Sequence, residues 1–246
     1  MLRRRALWTG GELLVTAGVV LLLLVVHELW WTNREARQGA EHQVQALERQ
    51  WATPGAGSGS TPSANSGLAG GSSPRRSPSA DGSTTVTGSA VTTPHRSQAY
   101  AILTVPRLHL RVPIAEGVSK RNVLNKGYVG HYPGTQQPGQ AGNFALAGHR
   151  NTHGEPFRYL NHLRVKDTVQ VETSAATFTY TVDKILPQTS AADSGVIRPI
   201  PRSTVKPSYG YSRPGYYITL TTCTPEYTSR YRMVVWGTLT SMRPRA

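Results

Sequence analysis

The chain holds one cysteine, Cys223, and it stands where a thiol can be used. It closes the run Tyr217-Ile218-Thr219-Leu220-Thr221-Thr222-Cys223, and Thr224-Pro225 follows at once. Alternating β-branched and aromatic residues read as a strand that the Thr-Pro pair ends, so the thiol sits at a strand terminus. Side chains alternate across a strand, which puts Thr219, Thr221 and Cys223 on one face and Ile218, Leu220 and Thr222 on the other. A free cysteine is commonly an inert small hydrophobe. Outside the cell, however, an unpaired thiol at a strand end is open to oxidation, which favours a chemical use. A single cysteine also excludes a disulfide scaffold and any multi-cysteine zinc or iron–sulfur site within one chain.

His149 ends a second apolar run, Asn143-Phe144-Ala145-Leu146-Ala147-Gly148, and Arg150 follows it. A thiol of ordinary pKa, about 8.5, is mostly protonated at neutral pH, and a neighbouring imidazole or guanidinium favours the thiolate. The same imidazole can then protonate a leaving amine. With eight histidines in the chain, the plain alternative is a residue that caps a turn. A metal reading rests on His149-x3-His153 with Glu155 nearby, but Gly154 and the turn-like residues 150–152 argue against the helix that such spacing needs. The third candidate is Arg232, nine residues after the cysteine at the start of Arg232-Met233-Val234-Val235-Trp236-Gly237. A hairpin through residues 224–231 brings its guanidinium beside the thiol, where a donor fork can hold a carbonyl or a developing oxyanion. Arg230 shares its parity and is the rival.

These residues need a β framework to bring them together. Strands are expected at residues 101–106, 108–114, 142–147, 168–172, 177–185, 216–222 and 232–239, all rich in Val, Ile, Thr and Tyr. Short helices are expected only at residues 118–125 and 156–163. Many brief strands joined by Gly/Pro turns imply a mostly β domain over residues 99–246, an antiparallel or mixed barrel or sandwich with minor helices.

The rest of the chain concerns placement. Of 246 residues only 38% are hydrophobic, and residues 52–98 are mostly Gly, Ser, Thr, Pro and Ala with almost no large aliphatics. Such a segment buries too little to offset the entropy of ordering, so it reads as a disordered linker. As a coil it spans roughly 40 Å and stretches to roughly 160 Å, enough to hold a catalytic head clear of a membrane. Before it, Arg3, Arg4 and Arg5 precede an apolar stretch that runs from residue 13 and ends in Trp30-Trp31. With no small-x-small cleavage pattern after it, residues 13–31 read as an uncleaved transmembrane anchor, and the positive-inside bias puts residues 1–12 in the cytoplasm and everything after Trp31 outside. Ala36, Ala40, Val44, Leu47 and Trp51 then recur at helical spacing, a thin stripe on a juxtamembrane helix over residues 32–51 that continues the anchor. Of the formal charge of +14, +11 lies in residues 98–246, scattered and not in a basic arm, so an envelope or membrane surface explains it as well as nucleic acid does, and no nucleic-acid partner is expected.

Thr219-Leu220-Thr221-Thr222-Cys223 resembles the TLxTC signature of sortases, the membrane-anchored cysteine transpeptidases of Gram-positive bacteria, and Leu146-Ala147-Gly148-His149-Arg150 resembles the segment around their catalytic histidine. Arg232 falls where their arginine follows the cysteine. The resemblance covers about residue 99 to the end, and the order anchor, linker, His, Cys, Arg is also theirs. Gly11-Glu12-Leu13-Leu14 and Gly130-His131-Tyr132-Pro133-Gly134 are similar to the actinobacterial class E branch.

The resemblance implies an eight-stranded sortase-type barrel and a preference for LAxTG-type over LPxTG sorting signals. It implies a thioacyl intermediate on Cys223, cleavage of a Thr–Gly bond, and transfer to an amine of a peptidoglycan precursor such as lipid II or of another protein. Ala145, Ala147, Thr219 and Thr221 correspond to residues lining the signal groove. His153 departs from the tyrosine of class E, at a position that bears on substrate preference. Covalent capture conserves the energy of the cut bond, so no cofactor or metal is expected. An L,D-transpeptidase resembles this order but carries Ser-His-Gly directly before its cysteine, which Thr221-Thr222-Cys223 lacks; a papain-like peptidase reverses the order of Cys and His. A membrane-tethered envelope-binding protein with a structural Cys223 is the non-catalytic alternative.

Overall fold

A computed structural model describes residues 2–52 and 94–245. Most of the linker expected at residues 52–98 lies outside the described residues. The first element is one uninterrupted helix, α1, over Leu2–Ala52. The apolar part is fully exposed within the protein and hydrophobic enough, by length and composition, to cross a membrane.

Eight strands follow: β1 Ala99–Val105, β2 Leu110–Glu116, β3 Val129–His131, β4 Gly142–Ala147, β5 Thr168–Glu172, β6 Ala176–Ser190, β7 Tyr216–Thr224 and β8 Tyr231–Pro244. They close into a barrel in the order β1-β2-β3-β4-β7-β8-β6-β5. Two neighbouring pairs, β2 with β3 and β4 with β7, are parallel. The protein is therefore mostly β, with the eight-stranded closed barrel that the resemblance implied.

Alternation explains the layering. Ile218 and Leu220 of β7 point inward with Phe144, Leu146, Tyr180 and Val235, forming a core from which water is excluded. On the outer face, Trp236 and Val234 of β8 are sealed by Leu186 and Val196. Val196 belongs to the short 3₁₀ turn Ser194–Ile197 in the long β6–β7 connection. Asp193 ties that connection down: its carboxylate accepts from Thr189 Oγ1 at 2.6 Å, Thr204 N at 2.9 Å and the Ser203 hydroxyl. Burial opposes its charge, but these donors outweigh it and hold the carboxyl below the ordinary aspartate value.

Two expectations need correction. β3 has only three residues, Val-Gly-His, too few for alternation to register, and its pairing with β2 and β4 comes entirely from the fold. The helices expected at residues 118–125 and 156–163 are instead loops containing single 3₁₀ turns, Leu124–Lys126 and Leu160–His162, because segments this short do not offset helix nucleation. The stripe on α1 has a use that spacing did not indicate. Ala36, Ala40, Val44 and Leu47 are buried against the barrel of the same chain, with Val44 and Leu47 packed on Ile102.

Candidate active site

Strand register assembles the site. β4 and β7 run in parallel with Ala145 opposite Thr219 and Ala147 opposite Thr221. Beyond the last pair, Gly148 N donates to Thr221 O at 3.1 Å, and Thr222 Oγ1 donates to Gly148 O at 2.9 Å. His149 follows directly, as Cys223 follows Thr222 on the neighbouring strand. Gly148 cannot carry a side chain here, since a Cβ would lie 2.7 Å from the Phe157 ring. On the other side, β7 pairs antiparallel with β8, and Cys223 stands directly opposite Arg232. Cross-strand partners share a face. Cys223, Arg232 and the end of the His149 strand therefore meet at one end of three adjacent strands.

Each group has a defined environment. Cys223 is half-buried and unpaired. His149 Nε2 lies 2.9 Å from Asn125 Oδ1; with Nε2–H donating to that carbonyl oxygen, Nδ1 is left as the acceptor. Its ring stacks on His153 at 5.5 Å between centroids. Burial, then the adjacent His153 and Lys120, push the His149 pKa down to about 4, so the imidazole is neutral at physiological pH. Arg232 is half-buried, and its Nη1 donates to Ser229 O at 2.8 Å and Tyr231 O at 2.9 Å. Arg230 precedes β8, is exposed, and lies over the Tyr231 ring.

The four residues matched to the groove fall into two groups. Ala145 and Thr219 are completely buried. Thr219 Oγ1 donates to Asn143 Oδ1 at 2.7 Å and lies 3.3 Å from Val196 O, so this pair is covered by the chain itself. Ala147 keeps exposed surface, and Thr221, buried beside it, donates to Leu146 O and meets Tyr132 OH, each at 3.1 Å. The His149, His153 and Glu155 set does not converge on one point. Glu155 turns away to accept from Asn33, Arg37 and Arg158, and no group of three or more metal-ligating side chains occurs among the described residues.

Sequence spacing missed three contributors. Arg150, buried despite its charge, donates through Nη1 to Cys223 O at 3.3 Å and Thr224 Oγ1 at 3.0 Å, and through Nη2 to Asn161 Oδ1. It thus stitches the segment after His149 to the end of the cysteine strand. Asn125 comes from a loop 24 residues before the histidine it orients. Glu155 joins the histidine loop to α1. Beforehand, Arg150 was visible only as the neighbour of His149, and Glu155 only as a metal-ligand candidate.

Residues 103–240 match the Sortase domain. The chain belongs to the sortase family. It is 42% identical over 96% of its length to Sortase SrtE1 of Streptomyces coelicolor, of which it spans only 58%. It is 34% identical over 93% of its length to Sortase SrtE2 of the same organism, covering 80% of that protein. Among solved structures, sortase E1 from Streptomyces coelicolor, with a tripeptide in its active site, superposes with a TM-score of 0.58 at 50% identity over 62% of this chain and 94% of that one. These relatives are class E sortases by name, the branch indicated by the sequence.

Proposed function

We propose that this sortase is a membrane-anchored cysteine transpeptidase in which Cys223 is the nucleophile, His149 the proton carrier and Arg232 the oxyanion donor. The observation that carries the reading is the register that sets Cys223 opposite Arg232 and brings the end of β4, two residues before His149, beside Thr221 of the cysteine strand. Neutral His149 takes the thiol proton as sulfur attacks the threonine carbonyl of a Thr–Gly bond. The tetrahedral oxyanion then lies on the side of Arg232, whose guanidinium swings from the carbonyls of its own loop. Collapse breaks the C–N bond, His149 returns the proton to the departing glycine amine, and a thioester remains on Cys223. An incoming amine attacks that thioester, gives a proton to the imidazole, and regenerates the thiol.

The substrates are proteins bearing a C-terminal LAxTG- or LPxTG-type sorting signal, and the acceptor is an amine of the cell-wall precursor. Ala147 and Thr221 lie nearest the reacting atoms along the groove, with Ala145 and Thr219 supporting it from below. The anchor is a single pass with its N-terminus in the cytoplasm and the barrel outside, supported by Arg3 to Arg5 before the span and the Trp30-Trp31 pair after it.

The test is transfer of a LAxTG peptide to an amine, read by mass spectrometry. The wild-type chain is expected to give the transfer product and a thioester adduct at Cys223. Cys223→Ala abolishes both, and His149→Ala is nearly as damaging. Product formation that persists in Cys223→Ala would overturn the assignment.

A further inference from the structure

The contacts between α1 and the barrel give the catalytic end a height above the membrane. At the level of residues 33–37, Asn33 Nδ2 donates to Glu155 Oε1 at 3.0 Å and its Oδ1 accepts from Gly154 N at 3.2 Å. Arg37 donates to Gly154 O at 3.2 Å and pairs with Glu155 at 3.0 Å. Glu155 follows the catalytic histidine by six residues, and its side chain is only 4% exposed. One turn of helix makes the closest approach: Gly127, with φ +78°, leaves no room for a Cβ, which would lie 2.7 Å from Ala36 O. Higher on the helix the partners change. Gln43 meets Tyr128, Leu47 packs on Ile102, and Glu48 pairs with Arg111. At the top, Arg245 covers the Trp51 ring at 4.7 Å.

A helix rises 1.5 Å per residue, so the Asn33 and Arg37 contacts lie about 3–9 Å beyond Trp31 along the axis, whereas the Trp51 contact lies about 30 Å beyond it. The barrel is thus held with its histidine loop down and its far end up. Glu155 extends the low end to the loop after Cys223, because Arg158 bonds Glu155 at 2.8 Å, Tyr227 OH at 3.3 Å and Glu226 at 3.2 Å. This rim exposes Tyr227 by 74% and Tyr159 by 52%. Lys120, whose charge reaches His149, and Lys126 beside the α1 contact are also exposed. Tyrosine and lysine together suit the boundary between water and anionic headgroups.

We propose that the helix segment from Asn33 to Trp51 docks the barrel so that its catalytic rim lies on the outer surface of the bilayer, with Tyr227 and Tyr159 at headgroup level. This deepens the anchored transpeptidase reading and rests on residues 13–31 spanning the membrane. The linker, whatever its reach, then serves the return of the chain to β1 and does not hold the head at a distance. The site faces substrates that are themselves held in the membrane.

The test uses the full chain carrying Cys223→Ala, with an environment-sensitive thiol label at Tyr227→Cys or, at the opposite end beside the Arg245 strand, Ser174→Cys. The protein is inserted in phosphatidylglycerol-containing vesicles with headgroup-level quenching lipids. Quenching several-fold stronger at position 227 than at 174 is expected, and Leu47→Asp or Arg37→Glu, which break the dock at two separate points, should erase the difference. Equal quenching at both positions in an inserted chain overturns the docked orientation and leaves the anchored enzyme standing; failure to insert overturns both. A second measurement uses the active chain. Leu47→Asp is expected to transfer a soluble peptide at the parental rate and to lose tenfold or more on a peptide acylated to the same vesicle. Equal loss on both peptides overturns the proposal, since it would place the helix in support of the fold and not of orientation.

Discussion

The two faces of β7 are made by different physics although they alternate along nine residues. Ile218 and Leu220 face the barrel interior, where any well-packed apolar side chain of the right volume would serve. Thr219 and Thr221 are just as buried, yet each hydroxyl has a specific acceptor on β4 or its flank. A buried hydroxyl without a partner costs about 1–3 kcal/mol, so these bonds penalise any shift of β7 against β4. One face packs the barrel, and the other holds β7 against β4 in the register in which its Cys223 stands opposite Arg232 of β8. Alternation in strands therefore separates apolar packing from register at a spacing of a single residue.

The contrast is testable by exchanging which face is damaged. Leu220→Ala is expected to lower unfolding stability by about 2–5 kcal/mol while the folded fraction transfers peptide at close to the parental rate, read by denaturant titration beside the transfer assay. On the other face, Arg232→Ala should leave stability nearly unchanged and reduce kcat by roughly a hundredfold or more, the scale of a lost oxyanion donor. Arg230→Ala should be mild, because that side chain is exposed and lies on Tyr231. The reverse ranking of the two arginines would mean that β8 is out of register with β7.

The smallest effect concerns pH. His149 is held neutral in the folded chain by burial and by its neighbours His153 and Lys120, with its pKa down to about 4 from an ordinary 6.5. The acid limb of kcat/KM should therefore lie well below 6.5. His153→Ala opens the site and removes one neighbour, so it should move that limb upward. NMR titration of the imidazole checks the sign. Because the folded value lies below the unfolded one, the stability linked to this group is complete above about pH 6.5 and declines as pH falls toward 4.

Much of the fold was legible because β strands of this kind are written in period-two alternation and turn chemistry. β5 was expected at residues 168–172 and is found at Thr168–Glu172, and the parity of Cys223 with Thr219 and Thr221 followed from spacing alone. β3 was not legible, since three residues carry no period. Nor was the role of the α1 stripe, since helical spacing of Ala36 to Trp51 shows that a face exists without saying what covers it.

Residue type and local pattern alone mark the candidate groups, their order and the strand ends on which they sit, because those depend on side-chain chemistry and local backbone geometry. Tertiary structure alone decided which strands became neighbours. It brought Asn125 to His149, folded Arg150 back onto the Cys223 carbonyl, and joined Glu155 to Arg37 across 118 positions of chain. Contacts between residues so distant in sequence form only once the barrel has closed and its helix has docked. No local pattern carries them, because the free energy that fixes them belongs to the packed whole.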